Sequence, residues 1–529
     1  MASNTRGSGA PPPGATQSCN ARLGAAVGNT PKLPANVLIR LFSSIVTSLA
    51  LSTLCLLVHF PAAAADHPNI VYILADDLGY GDVRWLNPES KIPTPRLDML
   101  AAEGMTFTDA HSGSAVCTPT RYGLLTGRYA WRTRLKKHVL FGYSPPLIDG
   151  GELTVAQYLK NQGYHTACIG KWHLGLGWQT SDGSTLGDAT DLTGENIDFT
   201  KPIMHGPLNL GFDHFFGISA SLDMPPYAWI ADDRVTAIPD TMKPTTFREG
   251  LTADGFAPVD VLPELAEKAV AYIRERHAAA PEQPFFLYLP LTSPHTPVVP
   301  APFVKGWSDA GDYGDFVAQT DRAVGQVFDA LDALNLRKNT LVIFTSDNGS
   351  TEPTEKMVRE FGHRPNHHFR GRKSDAWEGG HRVPFFVRWP AQVAAGTKTA
   401  ETTCLTDLLA TVADILDAPL PEGAAPDSVS MLPALLGETT ERPLRDYTVH
   451  HSIDGTFALR SGPWKFIDAP GSGGWSSNGP NTPKPDDPPV QLYNLDMDIG
   501  ETHNLWQAEP EKLAELRAML ETCKCPMAD

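Results

Sequence analysis

Five short segments of this chain carry side chains whose types and spacing could do chemistry. In Cys117-Thr-Pro-Thr-Arg121 a cysteine stands two places before a proline and four before an arginine. Pro119 suits the first turn of a helix, where its missing N–H is not needed, and that helix is expected to run through Leu125. Cys117 then lies at the amino end, where free N–H groups and partial positive charge favour an anion. A structural cysteine ahead of a helix would leave the same short string. Asp76-Asp77 follows the apolar run 68–75, and two adjacent carboxylates at the end of a buried strand are costly without a cation to share. Asp347-Asn348 repeats the pattern after the apolar run 340–346. Lys171 and His173, two apart in a segment that reads as extended, are expected to face one side. His295 sits in Thr292-Ser-Pro-His295-Thr-Pro297, a proline-stiffened loop that suits a positioned side chain and equally any rigid turn.

These residues need elements to hold them. Strands are expected at 68–75, 165–170, 284–291, 340–346 and 385–388, and helices at 95–103, 154–162, 263–276, 321–334 and 510–523. Gly104 and Gly163 act as stops for the first two helices. The alternation implies an α/β fold, a large and mostly parallel sheet sandwiched by helices. Four strands each end in a candidate functional group, and in open α/β sheets ligands bind beyond the carboxyl ends of the strands. Groups spread from Asp76 to Asn348 should therefore converge. The stretch 176–260 reads as loop-rich, with Gly211-Phe-Asp-His-Phe-Phe-Gly-Ile-Ser-Ala-Ser221 as its one recognisable piece; loops this long usually shape a cleft. Past residue 430 the strands shorten, at 447–451, 456–460, 464–467 and 491–495. This divides the chain into a catalytic domain over 66–430 and a smaller α+β subdomain over 431–529 containing an antiparallel sheet. His450 and His451 read as ordinary strand residues, with reach toward a substrate as the alternative.

The 529 residues carry a net charge of -17, which argues against nucleic acid as a partner because a phosphate backbone demands a basic surface. An anionic small substrate stays open, since a local cluster of cations can override the global field. Residues 1–36 are rich in Gly, Pro, Ala and Ser; Arg40, an apolar run over 41–60 and Pro61-Ala-Ala-Ala-Ala65 follow. That order reads as a leader with a secretory signal over 1–65, hence a secreted or periplasmic protein with no stable membrane insertion after cleavage. A membrane anchor is the alternative, because the run approaches the ~20 residues that span a bilayer. Seven cysteines do not make a disulfide framework in a chain this size. One bridge among Cys404, Cys523 and Cys525 stays open.

Together the strings resemble those of type I sulfatases of the arylsulfatase A kind, within the alkaline-phosphatase-like superfamily. The resemblance spans residues 67–510. It rests on Asn69-Ile-Val-Tyr-Ile-Leu-Ala-Asp-Asp-Leu-Gly-Tyr-Gly-Asp82, Cys117-Thr-Pro-Thr-Arg121, Gly170-Lys-Trp-His-Leu-Gly175, Ser346-Asp-Asn-Gly349 and Glu378-Gly-Gly380. Tyr493-Asn-Leu495 and Gly500-Glu-Thr-His-Asn-Leu505 resemble the family's carboxyl-terminal sheet region. The resemblance implies that a formylglycine-generating maturation enzyme oxidises Cys117 to Cα-formylglycine, whose hydrate is the nucleophile toward a sulfate ester. It implies a divalent cation on Asp76, Asp77, Asp347 and Asn348, with modified Cys117 adding an oxygen. Hard oxygen ligands favour Ca²⁺ or Mg²⁺ over zinc, and Ca²⁺ is the family's usual ion. Arg121 would hold the hydrated aldehyde, Lys171 and Lys373 would bind sulfate oxygens, and His173 and His295 would be the acid/base candidates. Ser221 resembles a further substrate-binding serine. Arg372 stands where family members often have glycine, a departure that could shift the charge beside Lys373.

Two rival functions are compatible with the same strings. One is a phosphonate or phosphate ester hydrolase on the same fold. The other is a catalytically silent glycan-binding protein, for which loss of Cys117, Arg121 or the metal quartet would have been the sign. All of these are present. A sulfated small molecule or glycan is the expected substrate.

Overall fold

The computed structural model describes residues 67–187, 193–244, 248–439, 441–477 and 482–525. The leader and signal expected over 1–65 lie outside the described residues. No described helix is long and apolar enough to cross a membrane.

The fold is built on β1 (Asn69–Asp76), whose residues are apolar on both alternations, as a strand buried on both faces requires. Ile70, Tyr72 and Leu74 enter one core while Val71, Ile73 and Ala75 enter the other. Three further strands matter for function: β2 (His165–Lys171), β3 (Phe285–Pro294) and β4 (Thr340–Ser346). Within a ten-stranded sheet these lie side by side in the order β4-β1-β3-β2, all parallel. Beyond β2 the sheet continues into a parallel strand, His214–Ile218, and beyond β4 into an antiparallel one, Phe385–Arg388. Helices cover both faces. Pro95–Glu103, Pro258–Ala279 and Gly311–Ala333 pack on one side, and Cys117–Thr126, Val155–Asn161 and Leu408–Ile415 on the other.

Most expected elements appear within a residue or two, and the differences have local causes. The helix expected at 263–276 is Pro258–Ala279, with Pro263 inside it. Pro258 holds the first position and Pro263 lies near the start, where a missing N–H forfeits a single helical bond. Val261, Leu262, Leu265, Ala266 and Ala269 are buried, and their packing decides the matter. The helix expected at 321–334 begins at Gly311. Tyr313, Phe316, Val317 and Thr320 are buried at helical spacing, a pattern that Gly311 and Gly314 obscure. The loop-rich stretch 176–260 contains the strand His214–Ile218, which extends the main sheet. Cys404, Cys523 and Cys525 carry free thiols, so the bridge left open among them does not form.

The smaller sheet contains β5 (Thr448–His451), β6 (Phe457–Ser461), β7 (Trp464–Ile467) and β8 (Gln491–Asn494). All three of its pairings are antiparallel. The helix Pro510–Lys524 covers one face through Leu513, Leu516 and Leu520. A buried ionic cluster fastens this sheet to the segment that carries Glu378. Lys465 Nζ lies 3.0 Å from Glu378 Oε1 and 2.9 Å from Glu501 Oε1, and all three side chains are inaccessible to solvent. Glu501 also accepts the Glu378 N–H at 2.7 Å. Next to this cluster His381 and His450 stack with ring centroids 3.8 Å apart, and His450 Nδ1–H donates to the Ser112 carbonyl at 2.8 Å. His450 is therefore interior packing.

Removing one member of a buried ion pair strands the other charge, at a cost of about 3–5 kcal/mol. Lys465→Met, similar in volume but uncharged, leaves Glu501 buried without its cation, while Glu378 keeps Arg382 at 3.1 Å and Arg460 at 3.5 Å. Its urea midpoint is expected to fall well below that of the parent protein. An unchanged midpoint would show that the cluster contributes nothing to stability.

Candidate active site

The carboxyl ends of the four adjacent strands deliver Asp76 and Asp77, Lys171, His295, and Asp347 and Asn348 to one edge of the sheet. Asp77 turns the chain with φ +67, which lets both neighbouring carboxylates face inward. Its N–H donates to Asp347 Oδ1 at 3.2 Å, and the Leu78 N–H donates to Ser346 Oγ at 2.9 Å. The loop after Asn348 is held from outside: the Gly349 N–H donates to the Gly380 carbonyl at 3.0 Å. A Cβ at Gly349 would fall 1.8 Å from the Gly379 carbonyl oxygen. Two backbones meet here without side chains, which gives Glu378-Gly-Gly380 its physical meaning.

Cys117 is the first residue of its helix, after an extended Val116, with Pro119 in the first turn and Gly127 at φ +64 closing the far end. Its Sγ, one carboxylate oxygen each of Asp76 and Asp77, and a ring nitrogen of His295 all lie within 4.8 Å of one another. Burial pushes the Cys117 thiol up to about 12, against the pull of Lys171 and Lys373. As encoded, this side chain is a poor nucleophile at neutral pH, since the thiolate is the reactive form. One turn on, the fully buried Arg121 donates to Asp347 Oδ2 at 2.7 Å and to the Lys171 carbonyl at 3.2 Å.

The cations match the carboxylates one by one. Lys171 Nζ donates to Asp76 Oδ2 at 2.7 Å, and Lys373 Nζ lies 2.8 Å from Asp77 Oδ1. The route by which Lys171 and His173 converge differs from the expected one. β2 ends at Lys171, Trp172 is buried in the core, and His173 has φ +57, so strand alternation does not align them. The His173 Nε2–H donates to the Leu140 carbonyl at 2.8 Å, leaving a buried Nδ1 without a partner. Burial, reinforced by Lys171 and Arg121, holds His173 well below the usual histidine range, so the ring is neutral. His295 is oriented the other way round. Its Nδ1–H donates to the Thr296 carbonyl at 2.6 Å, and Nε2 lies 3.7 Å from Asp77 Oδ2.

Ser221 is buried with an unpartnered Oγ, on a segment that runs beside His173 through the bond from the His173 N–H to the Ser219 carbonyl at 2.9 Å. Two further residues were not anticipated. Asp223, held by Arg248, presents a buried and unpartnered Oδ1 4.0 Å from His295 Nδ1. Thr351 Oγ1 donates to Asp77 Oδ2. Both follow the carboxyl end of a strand by five residues, Ile218 and Ser346 respectively; that position was the available signal. His451 stands close by as well. Its carbonyl accepts from the Ala115 N–H at 3.0 Å, two residues before Cys117, and its buried Nε2 has no partner.

Three buried carboxylates within a few ångströms set the electrostatics. Burial opposes ionisation of Asp76, yet Lys171, His295, Arg121 and Lys373 hold it well below the carboxylate range. Asp77 is likewise held low against burial, chiefly by Lys373. Asp347 is pushed up to about 7 by burial and by Asp76, despite Arg121. Asp76 Oδ1 and Asn348 Oδ1 are buried oxygens with no hydrogen-bond donor. Unpartnered hard oxygens beside a strained carboxylate fit a divalent cation, which would satisfy them and relieve Asp347.

Comparison with known proteins agrees with this geometry. The sulfatase family model matches residues 68–418. The chain is 35% identical over 503 residues to an N-acetylgalactosamine-6-O-sulfatase of Bacteroides thetaiotaomicron, covering 86% of this chain and 93% of that protein. It is 34% identical over 492 residues to human arylsulfatase A, covering 86% and 88%. A solved sulfatase from a glycosaminoglycan-metabolism locus of Bacteroides thetaiotaomicron superposes with a TM-score of 0.74 at 33% identity, over 87% of this chain and 99% of that one. With family match, fold and long-range sequence identity in agreement, this chain belongs to the sulfatase family and is a sulfuric ester hydrolase.

Proposed function

We propose that the protein hydrolyses sulfate monoesters of glycans, using Cys117 converted to Cα-formylglycine by a maturation enzyme. The observation that carries this reading is the convergence of Cys117 with Asp76, Asp77 and His295 at the ends of adjacent strands. The 35% identity to an N-acetylgalactosamine-6-O-sulfatase supports a sulfated sugar as substrate. We assign the chemistry to residues 66–430 and a supporting role to 431–529. The signal-like leader supports a secreted or periplasmic location.

Asp76, Asp77, Asp347 and Asn348 would hold Ca²⁺, or less readily Mg²⁺, which supplies positive charge for a sulfuryl oxygen and acidifies a hydroxyl at residue 117. A hydrated aldehyde at residue 117 supplies two hydroxyls, one to attack sulfur and one whose deprotonation expels sulfate and restores the aldehyde. Arg121, fixed by Asp347, keeps residue 117 and the carboxylates in register. Lys171 and Lys373 stand ready to neutralise the sulfuryl oxygens as charge develops. Ser221, with its free Oγ, is an additional substrate ligand.

The histidines divide the proton transfers by geometry. His295 holds Nε2 3.7 Å from Asp77 Oδ2 at the end of a strand different from that of Lys171, so it assigns naturally to the leaving alcohol, with Lys373 beside it. His173 is neutral, and its bare Nδ1 suits removal of the proton that triggers sulfate release.

Peptide mass spectrometry of active protein should find an aldehyde in place of the Cys117 thiol. Full activity with wholly unmodified cysteine would overturn the reading. Chelation should abolish turnover and Ca²⁺ should restore it; undiminished turnover after thorough chelation would remove the metal from the mechanism. General acid assistance contributes about 10²–10⁴-fold, most for poor leaving groups. His295→Ala should therefore cripple turnover of a sugar sulfate and spare an activated aryl sulfate. His173→Ala should slow both and let the sulfated enzyme accumulate. Equal damage to both substrates with trapping in His295→Ala would reverse the two roles.

A further inference from the structure

Residues 472–476, which follow β7, lie directly on the loop that carries Lys373. The Trp475 N–H donates to Ser374 Oγ at 2.8 Å, and the Ser476 N–H to Asp375 Oδ1 at 3.1 Å. In the reverse direction the Ala376 N–H donates to the Ser472 carbonyl at 2.9 Å. The contact is backbone against backbone: a Cβ at Gly474 would fall 2.3 Å from the Ser374 carbonyl oxygen. Trp475 is therefore fixed in place, yet it is only half-buried and its indole N–H has no partner among the described residues.

Two cations flank the ring. Lys373 Nζ is 5.9 Å from the ring centroid and Arg372 Cζ is 5.8 Å from it. Both distances fall within cation–π range but at its outer limit. Lys373 is committed to Asp77. Arg372 is not committed to any carboxylate: it donates to the Thr351 carbonyl at 2.8 Å, and among the described residues no carboxylate oxygen pairs with its guanidinium. In a chain of net charge -17, a half-buried arginine without an acidic partner beside an anion-handling site is available to an anion.

We infer that Trp475 is the wall on which the sugar ring bearing the sulfate ester stacks, and that Arg372 binds an acidic group on the adjoining sugar. This rests on the sulfatase reading of the site and names the substrate class as an anionic oligosaccharide. The apolar C–H face of a pyranose meets the indole face, and the indole N–H serves a sugar hydroxyl. The lysine that faces the sulfate and the ring that faces the sugar are then set by one hydrogen-bonded loop pair. Trp475 and Arg372 are specificity residues. Neither touches the reacting atoms.

The test compares the parent protein with Trp475→Ala, Trp475→Phe and Arg372→Ala. The probes are 4-nitrophenyl sulfate, N-acetylgalactosamine 6-sulfate, its uronate-bearing disaccharide, and inorganic sulfate as a competitive inhibitor. Aromatic contacts of this kind are worth roughly tenfold in affinity. Trp475→Ala should raise KM for both sugars by about that factor with kcat little changed. Trp475→Phe should recover most of the loss, and the inhibition constant of inorganic sulfate should stay where it was. Arg372→Ala should raise KM for the disaccharide and leave the monosaccharide alone. A Trp475→Ala protein with unaltered KM for both sugars overturns the stacking role. A fall in kcat together with weakened sulfate inhibition also overturns it, since that pattern marks displacement of Lys373. Turnover of 4-nitrophenyl sulfate by the parent protein checks the sulfatase reading by itself. If that ester is cleaved and neither sugar is, the sugar subsite falls and the sulfatase assignment stands.

Discussion

Three carboxylates held in a dry site are the constraint from which the rest of this structure follows. Asp76, Asp77 and Asp347 have no solvent to stabilise their charge, and isolated buried carboxylates are prohibitively costly. Each is matched by a fixed cation: Lys171 to Asp76, Lys373 to Asp77 and Arg121 to Asp347. Those cations come from a strand end, a distant loop and a helix. The matching succeeds only if β4, β1, β3 and β2 stand in that order. A topology that moved β2 away from β1 would part Asp76 from Lys171.

The compensation is incomplete. Asp347 is still pushed up to about 7, and two oxygens still lack donors. Sites that do chemistry commonly keep such unspent electrostatic potential, which bound ions and substrate then use. The cations that balance the carboxylates are also the groups an anionic ester would meet. Under the proposed function, the side chains that balance the resting site would also bind the substrate.

The smaller sheet belongs to the same design. Lys465, Glu378 and Glu501 form a buried ionic joint, and Glu378 opens the Gly379-Gly380 segment on which the Asp347 loop rests. On the other flank residues 472–476, which follow β7, prop up the loop of Lys373. The small sheet therefore reaches the loops of Asp347 and Lys373 from two sides, through backbone contacts that depend on glycine and on a buried charge cluster.

Much of this was legible in the sequence. The apolar β-branched runs ending in Asp76-Asp77 and Asp347-Asn348 announced buried strands with acidic ends, because few residue patterns other than a two-sided buried strand read that way. Cys117-Thr-Pro-Thr-Arg121 announced a helix start, since proline is tolerated there and almost nowhere else in a helix. Local chemistry sufficed for these. It did not suffice for the long helix beginning at Gly311, whose glycines look like breakers until Tyr313 and Phe316 find a core. Nor did it suffice for His173, whose left-handed backbone breaks the alternation that its spacing suggested. Asp223 and Thr351 carried only the weak signal of following a strand end by five residues, and nothing beside Trp475 in the chain marks it out. Their positions come from pairings across hundreds of residues, which only the assembled sheet and its loops decide.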